Sequence, residues 1–386
     1  MKITEIKTVV VHAYMRNWVF VKVETDAPGL WGWGEATLEW KTRAVVGAIE
    51  DIGRLLIGED PRRVEHLWQM MYRQQFWKSG IIGMSAVSGI DQACWDIFAK
   101  DQGLPLHRLL GGPVRDKVRL YDHLGGGEMS AIYDLNDPGQ FGELARESVE
   151  AGYSAIKVLA VPRTEPLEGS RPLRFAEQVM AALRDAVGYD VDLMVDLSGR
   201  TTPAMAIQYA RILEPFQPLF FEEPCQPENV DALVEVARAI RIPVATGERL
   251  VTRYGFRELF EKRACAVAQP DVCHCGGVTE LRKIAAMADT YYISMAPHNP
   301  LGPVATAVNM QLALSTPNFL IQEIMRADVP YRDEVVDAPL QLVDGYAYPS
   351  DRPGIGVEVD ETAAARYPYQ PEVLQRDFHP DGSVAD

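Results

Sequence analysis

The chain has 386 residues, 47% hydrophobic and 24% charged, with 54 acidic against 38 basic side chains and a formal net charge of −16. That composition is the one of an ordinary folded protein, and its charge argues against nucleic acid or an anionic membrane surface as a partner. A small-molecule carboxylate is not excluded, because a metal ion and arginines can reverse the sign inside a pocket.

The opening MKITEIKTVVVHAY alternates apolar and polar residues and carries no basic-then-apolar leader. It predicts a strand over Met1 to Tyr14, a break at Met15-Arg16-Asn17-Trp18, a second strand over Val19 to Glu24 and a third through GLWGWGE at 29–35. Helical spacing follows at Thr42 to Ile57, Pro61 to Tyr72 and Ser85 to Lys100; the last has Ala86, Ile90, Cys94, Ile97 and Phe98 on one stripe. Residues 1–116 therefore predict an α+β domain that ends at the punctuation Leu109-Leu110-Gly111-Gly112-Pro113. From there strands and helices alternate, with strands at Val118 to Tyr121 and Ser154 to Val158 and then six more to residue 322. Eight strands with seven intervening helices predict a parallel barrel over 117–325. Residues 326–386 lose the period, include an expected strand at Gly356 to Val359, and are expected to return over the N-terminal domain before a disordered tail, HPDGSVAD.

Within the barrel, Asp196, Glu222, Glu248, Asp271, His298 and Glu323 recur at gaps of 26, 26, 23, 27 and 25 residues. A strand, loop and helix occupy about 25 residues, so each lies at the carboxyl end of a strand, on the face where barrel active sites assemble. Asp196, Glu222 and Glu248 crowd three negative charges together, which is costly unless a divalent cation sits among them; an all-oxygen set favours Mg²⁺. Asp271 beside His298 makes a general base, since the carboxylate fixes the imidazole tautomer and raises its basicity. Glu323, held near the metal, is expected to be protonated and to donate to a developing oxyanion. Metal, base and acid together allow removal of the proton α to a carboxylate. Cys273-His274-Cys275 lacks the separated ligand pairs of zinc sites, and five cysteines, an odd number, fit a reducing, cytoplasmic setting.

The stretches GLWGWGEAT (29–37), SAVSGIDQACWDI (85–97), LLGG (109–112), VDLSGR (195–200), FEEP (221–224), ATGERL (245–250), QPD (269–271), GGVTE (276–280), APHNPLGP (296–303) and IQE (321–323) span most of the chain. Through them it resembles the mandelate racemase subgroup of the enolase superfamily, most closely the galactonate dehydratase-like acid-sugar dehydratases. The resemblance implies an α/β fold: a modified (β/α)7β TIM barrel under a capping domain built from the N- and C-terminal segments. It further implies Mg²⁺, homo-oligomers, lids at Tyr14 to Trp18 and around Trp31 and Trp33, and substrate contacts from Arg200, Ser198, His123 and Trp18.

Two positions depart from the family pattern. Ser198 stands where those dehydratases carry a histidine that assists the leaving hydroxide, and a hydroxyl does not give up its proton as an imidazolium does. Lys157-Val158-Leu159 lacks the second lysine that racemases of the subgroup use as a base on the opposite face. Lys157 then either holds the substrate carboxylate or pairs with Asp196. Dehydration needs only one histidine, His298, taking the α-proton and returning it to a β-hydroxyl on the same face; His123 is a second candidate acid. Arg163, in the loop from Ala160 to Pro172, is a further candidate for a distal contact. The expected activity is dehydration of a sugar acid to a 2-keto-3-deoxy acid, against a racemase or epimerase and a metal-binding paralogue without activity.

Overall fold

Alternation at the N-terminus produces an antiparallel sheet of three strands, β1 (Ile3–Ala13), β2 (Arg16–Thr25) and β3 (Trp31–Glu35). The computed structural model describes residues 1–78, 80–125, 135–326, 328–348, 350–374, 376–379 and 381–385. The break between β1 and β2 is a tight turn at Tyr14-Met15, shorter than expected, with Tyr14 at φ 55°. Arg16 to Trp18 consequently belong to β2, and Trp18 is buried in the sheet's core.

Helices α1 (Thr42–Gly53), α2 (Val64–Arg73) and α3 (Gly80–Asp101) complete this domain. Almost every residue of α3 from Gly83 to Ala99 is buried, because one side faces the sheet and the other the barrel. Gly32 and Gly34 of β3 let the backbones touch: a Cβ on Gly34 would lie 2.0 Å from the Gly89 carbonyl oxygen, and one on Gly32 2.1 Å from that of Ala93. The polar residues of α3 bond to β3 on one side and to the barrel on the other. Gln92 accepts from the Glu35 N–H and donates to the carbonyls of Glu35 and Val272; Trp95 donates to Thr279; and Asp91 accepts from the Thr279 N–H and hydroxyl.

Eight parallel strands form the barrel: β4 (Val118–His123), β5 (Ala155–Val158), β6 (Asp192–Asp196), β7 (Phe221–Glu222), β8 (Val244–Thr246), β9 (Val267–Ala268), β10 (Ser294–Met295) and β11 (Gln322–Ile324). They pair in sequence from β4 to β10; β11 pairs with β4, and a parallel bridge from Met295 to Phe319 closes the ring. Among the described residues one helix follows each of the first seven barrel strands, from Pro138–Glu150 to Pro303–Ser315, and after β11 there is only a 3-10 turn at Arg332–Glu334 and a four-residue helix at Glu361–Ala364. Capping chemistry starts several of them. Asp137, Thr202 and Asn229 each accept from a backbone N–H of the first turn, and proline opens the helices at 138, 203 and 303.

The C-terminal segment pairs with β4 through Tyr346 and Ala347 and then contacts the first domain. The His12 N–H donates to the Tyr367 carbonyl, Asn17 exchanges hydrogen bonds with Gln370, and both Trp31 and Trp33 donate to Glu358. The strand expected at Gly356 to Val359 is only a bridge between Val359 and Val336. The tail, expected to be disordered, turns back on itself through a Phe378 to Val384 bridge and docks on the barrel through Arg163–Asp377 and His379–Glu165 ion pairs.

Candidate active site

Parallel strands of a closed barrel end on one rim, so the strand-end residues meet there. Asp196 and Glu222 are register partners at the ends of β6 and β7, as are His123 and Lys157 on β4 and β5. Glu248, Asp271 and His298 lie just beyond β8, β9 and β10, and Glu323 is in β11. His123, Lys157, Asp196, Ser198, Glu248 and His298 line a cavity of about 130 Å³, and Glu222, Asp271 and Glu323 stand behind that wall, paired with Lys157 or His298. Its roof comes from the capping domain: Met15, Arg16, Glu39 and Trp40.

His298 Nδ1 is 2.7 Å from Asp271 Oδ2, and its Nε2 is 3.7 Å from Glu248. Burial works against a charged imidazole here, but Glu248, the Asp271 hydrogen bond and Glu323 outweigh it and hold its pKa well above the ordinary value. Asp271 is fixed in turn by the Cys273 N–H at 2.6 Å. Lys157, fully buried, reaches Glu222 at 2.8 Å and Glu323 at 2.7 Å. Its ammonium is desolvated, yet the two carboxylates keep it protonated well past its usual range.

The surroundings of Glu323 do not favour the proton expected on it. Burial favours the neutral acid, but Lys157, His123 and His298 overcome it and hold Glu323 well below the ordinary carboxylate range, while the Asn299 N–H donates to Oε2 at 2.9 Å. The misfit falls on the other acids. Burial, with Asp196, Glu323 and Glu248 nearby, drives Glu222 well up; burial and the charges of Glu223 and Asp196 push Glu248 to about 8. Glu222 Oε2 is buried with no hydrogen-bond partner. An orphaned carboxylate oxygen beside Asp196 and Glu248 fits a hard divalent cation, although among the described residues no three such side chains already form a closed cage.

Other expectations divide. Ser198 is at the cavity wall, its N–H and hydroxyl both donating to Asp196. Arg200 instead lines two neighbouring cavities, one shared with Arg163. Trp18 is in the core, and Trp31 and Trp33 hold the C-terminal segment, so the hairpin turn reaches the cavity through Met15 and Arg16 rather than through tryptophan. Cys273 and Cys275 are buried free thiols, and His274 pairs with Ser85 at 2.9 Å. Sequence reasoning placed a lid at Tyr14 to Trp18 without singling out Arg16, and it missed Glu39 and Trp40. Arg16 is 2% exposed, 3.4 Å from Glu39, and its Nε and Nη1, like Trp40 Nε1, have no hydrogen-bond partner. Its place in the hairpin was the signal available.

Residues 3–111 match the mandelate racemase / muconate lactonizing enzyme N-terminal domain, and residues 140–363 the enolase C-terminal domain-like family. The chain belongs to the enolase superfamily. Within its mandelate racemase subgroup, it is 38% identical to a D-galactonate dehydratase of Variovorax paradoxus strain S110, and 36% to one of Pectobacterium atrosepticum, with 100% of each chain covered. A solved mandelate racemase/muconate lactonizing enzyme-like protein from Roseovarius sp. TM1035 superposes with a TM-score of 0.91 at 34% identity, over 100% of both chains. A member of the enolase superfamily from Salmonella Typhimurium gives 0.89 at 35% identity, over 95% of this chain and 98% of that one. Enolase-superfamily dehydratases generally use Mg²⁺. No described helix of the protein is long and apolar enough to cross a membrane.

Proposed function

We propose that the protein is a hydro-lyase for an aldonate-type sugar acid, removing the proton α to the carboxylate and expelling the β-hydroxyl to give a 2-keto-3-deoxy acid. The observation that carries this reading is the pairing of one base with one missing base. His298 is held by Asp271 with Nε2 turned to the cavity side, whereas Leu159 lines the cavity where a racemase of this subgroup carries a second lysine. The full-length relatives named D-galactonate dehydratase support the same chemistry.

In this reading His298 Nε2 takes the α-proton and Asp271 keeps the ring oriented. Lys157, anchored by Glu323 and Glu222, presents its ammonium to the substrate carboxylate, where negative charge grows as the proton leaves. Asp196, Glu222 and Glu248 would hold Mg²⁺, which when bound polarises the substrate carboxylate and offsets the crowded acids. Arg16 and Trp40 supply unpartnered donors and Glu39 an acceptor, a set that suits the hydroxyls of a polyol tail. We place the enzyme in the cytoplasm as a homo-oligomer.

The test is to incubate the Mg²⁺-loaded protein with hexonates, pentonates and hexarates, assay for keto acid, and run His298→Asn in parallel. Product from at least one aldonate, reduced by about 10³-fold or more in the variant, is the expected result. Silence across the panel removes the reading; solvent deuterium entering the α-position without keto acid would move it to an epimerase.

A further inference from the structure

Elimination needs a proton for the departing hydroxyl as well as a base for the α-carbon. Ser198, whose hydroxyl points to Asp196 at 3.2 Å, is poorly equipped to supply it. His123 is different. It ends β4 at the cavity wall, 8% exposed, and neither Nδ1 nor Nε2 has a hydrogen-bond partner. Its nearest charged neighbour is Glu323, 3.5 Å from Nδ1.

A buried polar group left unmade costs roughly 1–3 kcal/mol, so a histidine kept for packing normally finds a partner. Two other buried histidines do: His107 Nδ1 is 2.8 Å from Gln311, and His274 Nδ1 is 2.9 Å from Ser85. His123 has only the long 3.5 Å approach to Glu323 and leaves Nε2 without a partner, while its ring lines the reaction cavity. The barrel order β10, β11, β4, β5 places it across Glu323 from His298, with Lys157 as its register partner on β5. The two imidazoles thus stand on the strands either side of Glu323, with Lys157 one strand beyond His123.

Resting on the dehydratase reading above, we propose that His123 is the proton donor to the leaving β-hydroxyl, so that elimination uses two histidines instead of one. His298 takes the Cα proton, and the C–H electron pair becomes the Cα–Cβ double bond. The Cβ–O bond breaks with its pair on oxygen, which takes the His123 proton and leaves as water. The enol product tautomerises to the 2-keto-3-deoxy acid; His298 gives its proton to solvent and His123 takes one back.

The test compares the aldonate that the parent dehydrates fastest with its 3-deoxy-3-fluoro analogue, because fluoride leaves without a proton. His123→Gln and His123→Asn are to be assayed for keto acid, fluoride release and α-deuterium exchange in D₂O, with thermal unfolding as the check on folding. Keto acid from the hydroxy substrate is expected to fall by about 10²-fold or more. Fluoride release should stay within about tenfold, and α-exchange should persist. Equal losses on both substrates would reduce His123 to a packing or binding residue, and unchanged dehydration would return both steps to His298. Failure of the parent on every aldonate is a separate outcome, which removes the dehydratase reading and this proposal with it.

Discussion

A buried carboxylate far from the cavity illustrates how a single residue couples the two domains. Asp91 on α3 accepts from the N–H and hydroxyl of Thr279, both short contacts, and burial pushes its pKa from 3.8 to about 7 against the pull of those hydrogen bonds. Its contribution to stability is therefore complete below about pH 4 and is lost as pH rises to about 7, because over that range the unfolded chain has released a proton that the folded one retains. Asp91→Asn reproduces the protonated acid and does not titrate. Relative to the parent, the variant should gain stability between pH 4 and 7 by an amount on the order of a few kcal/mol and then level off. Urea midpoints at pH 5, 6 and 8 check this; a constant difference would refute it. The placement of Asp196, Glu222, Glu248, Asp271, His298 and Glu323 at the ends of successive strands was legible because a regular period needs no tertiary knowledge. The charge on Glu323 was not, since it follows from where Lys157 reaches from a strand two positions around the barrel. Glu39 and Trp40 were hidden for a similar reason, since no period ties them to a barrel rim, and Arg16 was covered only by the lid that the resemblance implied at Tyr14 to Trp18.

Strands and helices were more readable in kind than in extent. The barrel strands β7, β9 and β10 are only two residues long, because pairing stops where the chain bends to its functional side chain. Helix α3 showed its apolar stripe but also buries Ser88, Asp91, Gln92 and Asp96, which a stripe alone assigns to solvent. What lets these elements lie so close is the absence of a side chain at Gly32 and Gly34 of β3. Gly34→Ala is expected to destabilise the protein by about 3 kcal/mol or more, since its methyl would meet the Gly89 carbonyl and neither backbone can yield without moving the sheet. Gly29→Ala is not a suitable control, for that residue has φ +74°; Gly47→Ala, with open space at its Cβ, is. Equal thermal midpoints for the Gly34 and Gly47 variants would sink the account.

For the whole molecule, the crowding of Glu222 and Glu248 predicts a response to metal that is independent of turnover. Adding Mg²⁺ at a hundred times its dissociation constant should stabilise the parent by about 2.7 kcal/mol, and Glu222→Gln should lose most of that shift. Calorimetry with and without EDTA measures it, and an unchanged midpoint in the parent would count against the metal assignment. The domain contacts also set an order of events in the making of the protein. Ser85, Asp91 and Gln92 bond to partners 189, 188 and 180 residues later in the chain. Those partners flank Asp271, which aims the candidate base. Contacts so distant in sequence close late, after most helices have formed. A newly made chain thus passes through a stage with nearly all its secondary structure in place and its base still unaimed, and any chaperone or protease that acts at that stage meets a protein that is folded in outline and not yet an enzyme.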